Sequence, residues 1–347
     1  MTIAAQADDP AGTPPLSAEP RVFRPNKPKS ATHLRFLGSL ALISIPVFLF
    51  ATLITFLLGY ASGLDPAAGI AGDAATPEVI ARIRADFGLD RPVAIQYLDW
   101  MAGLVRGDFG VSWFNGVPVL QLILQRLPVS LSVAGAALVV GIVMGSLLGI
   151  GAAIWRGSAF DRAVTAFASL AAALPPFVVA IVLILIFSLW LNLLPAAGYI
   201  PFSEDPAGWL RIIAIPAMAL SVDIIADLAR QLRTGLVSAL SENYVTGAVV
   251  RGLSPRRILF VHVLRNAAGP ALSMLALRVP MLIGGAVVTE SIFTMPGMGK
   301  MAADSALRGD VPVVQGTLVV SIVIVLACSL LINILLGVLQ PATQRRD

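Results

Sequence analysis

Charged residues and metal-binding side chains are both scarce in this sequence. Of its 347 residues, 13% are charged and 57% are hydrophobic. A soluble globular domain has about 25% charged residues, so the deficit indicates that lipid is the main solvent. The single cysteine, Cys328, and the two histidines, His33 and His262, exclude a disulfide framework and a His/Cys metal site. Folding therefore has to rest on helix packing within a membrane.

Six apolar stretches are long enough to cross a bilayer, because about 20 apolar residues span a hydrocarbon core of about 30 Å as a helix. They predict an all-α, polytopic membrane protein with about six transmembrane helices. The fourth stretch is the least clear because it contains Asp223 and Asp227. The stretches are Phe36–Tyr60, Ser130–Trp155, Val164–Leu191, Leu210–Ala229, Pro270–Val288 and Val313–Leu339.

The same pattern divides the chain into four parts. The first is rich in Pro, Ala and polar residues without apolar periodicity, which predicts disorder. The outer loop of the second part is long enough to hold short helices at Pro77–Phe87 and Pro92–Leu104. The four parts are a cytoplasmic tail (1–35), a first transmembrane helix with an extracytoplasmic loop domain (36–129), a core of five helices with an inner loop at 229–269 (130–341), and a second cytoplasmic tail (342–347).

The basic residues set the predicted orientation, because loops rich in Lys and Arg stay on the cytoplasmic side. In a six-helix path, all the basic loops fall on one side, and both termini are therefore expected in the cytoplasm. Those basic residues are Arg21, Arg24, Lys27, Lys29 and Arg35 before the first helix, Arg156 and Arg162 after the second, Arg230, Arg233, Arg251, Arg256, Arg257 and Arg265 after the fourth, and Arg345 and Arg346 at the end.

The most polar helical stretch lies in the inner loop and contains a break. Gly252-Leu-Ser-Pro255 combines a glycine suited to a helix end with a serine cap and a proline at the first helical position. We expect a short helix near Glu242–Arg251 that turns sharply into a second one, Pro255–Ala267. An exposed helix of this kind either fits a groove of another protein or only joins two spans.

The residues around this break resemble a known family. Tyr244-Val-Thr-Gly-Ala-Val-Val-Arg-Gly-Leu253, followed by His262-Val-Leu-Arg-Asn-Ala-Ala-Gly-Pro270, is similar to the coupling loop of binding-protein-dependent ABC importer permeases, and in particular of the dipeptide/oligopeptide permeases. Further strings agree in order and spacing: Gly88-Leu-Asp-Arg-Pro92, Tyr97-Leu-Asp-Trp100, Gly107-Asp-Phe-Gly-Val-Ser112, Leu194-Pro-Ala-Ala-Gly-Tyr199, Thr289-Glu-Ser-Ile-Phe293, Pro296-Gly-Met-Gly299 and Asp310-Val-Pro-Val-Val-Gln-Gly316.

The resemblance implies a type I ABC importer permease fold in the plasma membrane of a prokaryote. It implies a second homologous permease, two ATPase subunits and an extracytoplasmic substrate-binding protein as partners, with di- or oligopeptides as substrate. ATP and Mg would be bound by the ATPases, and this chain would hold no cofactor. The residues implied in ATPase coupling are Tyr244, Thr246, Gly247, Ala248, Arg251, Gly252 and Leu253, and those implied in the outer gate are Glu290, Phe293, Pro296 and Gly297.

The chain itself is not expected to be an enzyme. Gly297-Met-Gly-Lys300 superficially resembles a phosphate-binding loop, but that motif needs a glycine five residues before its Gly-Lys pair and Ser or Thr after it. Thr294 and Met301 occupy those positions. The alternative class is an ion-coupled secondary transporter, but the sequence has no convincing internal repeat of the kind such carriers often show. Within the ABC class, nickel, glutathione and sugars are alternative substrates.

Asp223, Asp227 and Arg278 are charges within predicted spans, where each needs a partner or water because a charge at the centre of a span costs at least about 2.5–3.5 kcal/mol. Estimated depths from a rise of about 1.5 Å per residue put Asp223 and Arg278 at one level. We therefore expect Asp223 to face Arg278, and Asp227 to pair with Arg230 or to meet inner water. Two alternatives remain: Asp223 lines the pore and attracts a substrate's ammonium group, or it contacts the sister permease.

Two further patterns concern helix shape. Pro175-Pro176 should kink the third span, either as a gating hinge or to fit the shape of its neighbours. Gly141, Gly145 and Gly149 form a ladder of small residues that permits close helix approach, within this chain or against a sister permease.

Overall fold

A computed structural model describes residues 31–72 and 75–339, and these form a bundle of helices with one isolated β-bridge between Val111 and Pro118. The two predicted tails, with their basic residues, fall largely outside the described residues. The helices are α1 (Ala31–Ala61), α2 (Pro66–Ala71), α3 (Pro77–Asp86), α4 (Val93–Val105), α5 (Val119–Ile154), α6 (Ala159–Ala173), α7 (Pro176–Leu183), α8 (Pro206–Leu240), α9 (Asn243–Val250), α10 (Pro255–Arg257), α11 (Leu264–Ile292), α12 (Met298–Arg308) and α13 (Val311–Leu339), with π-helical turns at Ile184–Trp190 and Ile258–Val263.

Two compact units divide the chain within α1. The first ends at Val47, and its described residues are helical turns from Ala31 onward. The second begins at Phe48 and includes the last turns of α1 and every other element. All the packing described below lies within this second unit.

Among the described helices, five are long and apolar enough to cross a membrane, and a sharply bent pair makes a sixth candidate. This agrees with the six predicted spans, but the helices are longer than the apolar stretches. The fourth, for example, is expected at Leu210–Ala229 and runs as α8 from Pro206 to Leu240. Backbone hydrogen bonding continues a helix beyond the lipid, so apolar length marks the span and not the helix end.

The predicted kink at Pro175-Pro176 is confirmed as a bend of 110° between α6 and α7. Leu174 and Pro175 both take extended backbone angles there, with ψ of 121° and 142°. A residue that precedes proline is pushed out of the helical region, and proline offers no N–H group to continue the ladder. The double proline therefore ends α6 and starts α7 in a new direction.

The glycine ladder of α5 packs against α8 within this chain. A Cβ atom added at Gly141 would lie 2.6 Å from Ile224, and one at Gly145 would lie 2.9 Å from Leu228. At Gly149 it would lie 2.8 Å from the carbonyl oxygen of Ala229. The contacts move in the same direction along both helices, so α5 and α8 run parallel at the same depth. Helix α8 is the most buried of the candidate spans.

The loop after α1 contains the two predicted short helices, now seen as α3 and α4. Tyr97 of α4 contacts α1, since its hydroxyl lies 3.0 Å from Thr52 Oγ1 and its ring packs edge-on against Phe56. Farther along, Ser112 Oγ donates to Asp310 Oδ2 at 2.5 Å. The loop is therefore attached both to α1 and to the residue that precedes α13.

Candidate functional site

The predicted helix of the inner loop is present as α9, and Gly252 ends it as expected. Gly252 has a φ of +76°, the left-handed conformation that only glycine adopts without cost. The N–H of Leu253 donates to the carbonyl of Ala248, and that of Gly252 to the carbonyl of Val249. This pair of bonds is a Schellman motif, which closes the helix on itself.

One face of α9 is open to the surroundings. Val250 is 82% exposed, Val249 59% and Tyr244 37%. Thr246, Gly247, Arg251 and Gly252 are exposed as well. We call this set of seven residues the α9 face. Its apolar members lie at the end of a polar loop, which is a position where an uncovered hydrophobic surface is typical of a protein contact.

The other face of α9 anchors it to the bundle, which corrects part of the expected contact set. Ala248 is only 2% exposed and packs in an inner cluster with Leu236 of α8 and with Val263 and Ala267 near the start of α11. Leu253 packs at the edge of the same cluster. The side chain of Ala248 cannot reach another protein directly, because the helices of its own chain cover it.

An ion pair between a buried aspartate and a partly exposed arginine of the inner loop was not predicted from the sequence. Both oxygens of Asp161, in the first turn of α6, accept hydrogen bonds from Arg233 of α8. Asp161 also accepts from the N–H of Gly157 at 2.9 Å, while Ser158 caps the helix by accepting from the N–H of Asp161. The Ser-x-x-Asp spacing is a capping signal that marks the helix start but not the distant arginine.

Among the predicted gate residues, Glu290 is fully buried, at 0% exposure. Its Oε1 accepts a hydrogen bond from Ser130 Oγ of α5 at 2.5 Å, and its Oε2 accepts from the N–H of Lys300 at 2.8 Å. Ser130 Oγ accepts in turn from the N–H of Met298 at 2.8 Å. Helix α12 begins with N–H groups that its own cap residue, Gly297, cannot satisfy. Side chains from α5 and α11 satisfy them instead.

Position 297 has to be glycine because of this arrangement. A Cβ atom there would coincide with the carboxyl group of Glu290. Phe293 is buried beside Met295, and its carbonyl accepts a hydrogen bond at 2.9 Å from the N–H of Gly198 in another loop. Pro296, in contrast, is exposed. Of the four predicted gate residues, Glu290 and Gly297 contact each other and, with Ser130, form what we call the Glu290 cluster. Phe293 packs in the neighbouring hydrophobic core, and Pro296 lies at the surface.

A cavity of about 290 Å³ adjoins the Glu290 cluster. Thr55 of α1, Leu131 of α5, Val287 of α11 and Thr317 of α13 are among its lining residues. Most of the lining is apolar. The carboxylate of Glu290 is already bonded to α5 and α12, so its place in the lining does not make it a free charge.

Asp310 makes a second buried connection on the same side. It is 4% exposed and accepts hydrogen bonds from Ser112 Oγ and from the N–H of Trp113. Burial raises the pKa of its carboxyl above the ordinary value, and the Ser112 hydrogen bond opposes this rise. Both residues occur in the strings that resemble the permease family, but nothing in the sequence pairs them.

The charges within the spans are arranged differently from the prediction. Asp227 accepts from Arg230, as expected, and also from Arg278 of α11. The expected pairing of Asp223 with Arg278 is therefore wrong. Asp223 is half-buried, and among the described residues no hydrogen bond or ion pair reaches it.

Asp223 was predicted to pair with Arg278 because the helices were taken to end where the apolar stretches end. Helices α8 and α11 run antiparallel, with Gly235 packed against Ala267 and Leu220 against Gly285. That register brings Arg278 level with Asp227, one turn farther along α8 than Asp223. The depth estimate counted from the ends of the apolar stretches, and both helices extend past those ends.

The fold is that of a polytopic membrane protein. Residues 141–345 match the family "Binding-protein-dependent transport system inner membrane component", and residues 33–134 match the N-terminal region of such components. The chain therefore belongs to this family, and it is a multi-pass inner membrane protein that acts as the permease of a binding-protein-dependent transport system. This agrees with the resemblance noted from the sequence.

Similar proteins agree with this assignment. The chain is 39% identical over 298 residues to a protein of Brucella abortus (strain 2308) named as a peptide transport system permease, covering 86% of this chain and 95% of that protein. It is 31% identical over 337 residues to the dipeptide transport system permease protein DppB of Escherichia coli (strain K12), covering 90% and 98%. The fold resembles the MetNI methionine ABC transporter in an inward-facing conformation, with a TM-score of 0.52 and 15% identity over 63% of this chain and 97% of that one.

Proposed function

We propose that this chain is one permease subunit of an ATP-driven importer of di- or oligopeptides. The observation that carries the proposal is the α9 face, an uncovered apolar surface on a helix that is closed on itself and anchored to the bundle. The names of the similar proteins, which refer to peptide and dipeptide transport, support the substrate class.

In this proposal the α9 face docks on an ATPase subunit. A second, homologous permease completes the pore, a second ATPase serves that permease, and an external binding protein delivers the peptide. ATP and Mg²⁺ are bound by the ATPases. This chain contributes no cofactor site and no catalytic residue.

Movement of α9 is transmitted directly to the transmembrane helices through packed side chains. Ala248 packs on Leu236 of α8 and on Ala267 of α11, and these two helices are in backbone contact at Gly235. Ala153, at the end of α5, belongs to the same inner cluster. A displacement of α9 by the ATPases therefore shifts α5, α8 and α11 together, which is the motion that alternating access needs.

The orientation of the chain completes the proposal. In this proposal α9 and both termini lie in the cytoplasm, which the basic residues of the inner loops support, because loops rich in Lys and Arg are retained there. The Glu290 cluster then lies at the outer end and shapes the outer gate, and Pro296 forms its exposed rim.

Substitution of Gly252 tests the coupling role. Val at this position has to adopt a φ of +76°, which is strained for a β-branched residue. We expect Gly252→Val to remain in the membrane and to lose at least about tenfold in peptide uptake and in co-purified ATPase. The matched control is Gly116→Val, since Gly116 has a φ of +65° and equally open surroundings in the loop before α5. Normal uptake with full ATPase retention in Gly252→Val would contradict the proposal.

A further inference from the structure

Asp223 is an acidic side chain in the middle of a membrane span whose charge no described group of its own chain neutralises by contact. It lies midway between Pro206 and Leu240, the ends of α8. Contact of Ile224 with Gly141 sets its depth level with the middle of α5. A charge at this depth requires a partner or water, because lipid solvates it poorly.

The nearest cation is already engaged. Arg278 donates to Asp227, which also accepts from Arg230, so these three side chains form one group with an excess positive charge. Arg278 acts on Asp223 only through space. One negative and one net positive site therefore lie about one helical turn apart along the same face of α8.

That face is open. On α11, Leu277 and Met281 are exposed, and Gly284 has free space where a Cβ would lie. The α8–α11 register puts Asp223 near the level of Met281. A half-buried carboxylate at this depth cannot face hydrocarbon without a large cost, whereas a water-filled path accommodates it.

We propose that Asp223 lines the translocation path and binds the ammonium group of a small zwitterion in transit, with Arg278 oriented toward its carboxylate end. The arrangement fits a peptide with free termini, because its two charges match the two signs along this face. This inference rests on the proposed function for the identity of the substrate, but not for the exposure of Asp223 to water.

Cysteine accessibility tests the aqueous path. In a Cys328→Ala background and in the complete complex, Asp223→Cys should react with a water-soluble cationic methanethiosulfonate reagent. Val139 provides the matched control, since it lies at the same depth on α5 and is 61% exposed on an apolar face. We expect Val139→Cys to react at least about tenfold more slowly. Equal rates, or no reaction at position 223, would overturn the proposal, and the latter would assign Asp223 to the sister permease.

Transport by conservative variants tests the binding role. We expect Asp223→Asn to lower the maximal rate of dialanine uptake about tenfold, since a charge-assisted hydrogen bond is lost. The KM and the ATPase rate stimulated by the binding protein should not change, and Asp223→Glu should recover most of the uptake. Unchanged uptake in Asp223→Asn would overturn the binding role. If the wild type fails to import dialanine while the labelling contrast holds, the peptide assignment is wrong and the aqueous path stands.

Discussion

At the two ends of the bundle, the free backbone groups of the helix termini find their hydrogen-bond partners in opposite ways. At the predicted inner end, α9 closes on itself through Gly252 and leaves its apolar residues exposed. At the predicted outer end, α12 begins with N–H groups that Ser130 and Glu290 satisfy from two other helices, and the carboxylate is fully buried. The inner end can therefore meet a partner without losing its own bonds, whereas the outer end opens only by breaking bonds between helices.

The largest effect is expected from crowding the Glu290 cluster. In Gly297→Ala the new Cβ displaces the carboxylate of Glu290, so that buried N–H groups of α12 lose their acceptors. Overpacking and unsatisfied donors together should cost about 3 kcal/mol or more of stability, measured by thermal unfolding in detergent.

Gly284→Ala is the control for this substitution. Gly284 lies inside α11 with open space around it, and alanine there should be neutral or stabilise by up to about 1 kcal/mol. Equal melting temperatures for Gly297→Ala and Gly284→Ala would mean that the Glu290 cluster is not closely packed around position 297.

A smaller effect, dependent on pH, is expected at Asp310. Because burial raises the pKa of Asp310 in the folded state, the carboxyl binds its proton more tightly folded than unfolded. Its contribution to stability is therefore full below the unfolded pKa of about 4 and is lost as pH rises through the folded value. Asp310→Asn should flatten the dependence of melting temperature on pH between 4 and 7. Ser112→Ala removes a bond that lowers the pKa, so it should shift the dependence to higher pH, and an unshifted profile would refute this account.

The smallest effect on stability is expected on the α9 face. Val250 is almost fully exposed, so Val250→Ser should change the melting temperature little, within about 0.5 kcal/mol. Uptake should nevertheless fall severalfold, because the apolar contact with the ATPase weakens. A loss of stability comparable to that of Gly297→Ala would mean that Val250 belongs to the fold and not to a docking surface.

The sequence alone predicts those features of the fold that depend on residues close together along the chain. The spans, the turn at Gly252, the bend at Pro175-Pro176 and the close approach at Gly141 follow from apolar length, glycine and proline geometry. Contacts between distant helices depend on register, which composition does not reveal. Arg278 pairs with Asp227 and not with Asp223 because antiparallel helices set their own level. For the same reason, the sequence did not pair Ser130 with Glu290 or Arg233 with Asp161.

The resemblance located the inner loop but did not distinguish its two faces. Ala248 stands in the string that resembles the coupling loop, and its burial shows that it anchors α9. On an eight-residue helix, only the positions of α8 and α11 decide which side is covered. Of the predicted tail at 1–35, residues 31–35 are helical as the start of α1, so the predicted disorder is wrong there. The rest of that tail and the tail at 342–347 lie outside the described residues, and their disorder and cytoplasmic location stay predictions.

Cross-linking from α9 tests the central claim most directly. In a Cys328→Ala background, Val250→Cys and Ala248→Cys differ in exposure on the same short helix, at 82% and 2%. With a short photo-cross-linker attached to the introduced thiol, in membranes of the producing cell, Val250→Cys should form a product with an ATPase subunit on illumination, and Ala248→Cys should not. A product from Ala248→Cys alone, or ATPase recovered with the complex but joined to neither position, would contradict the assignment of the α9 face as the docking surface.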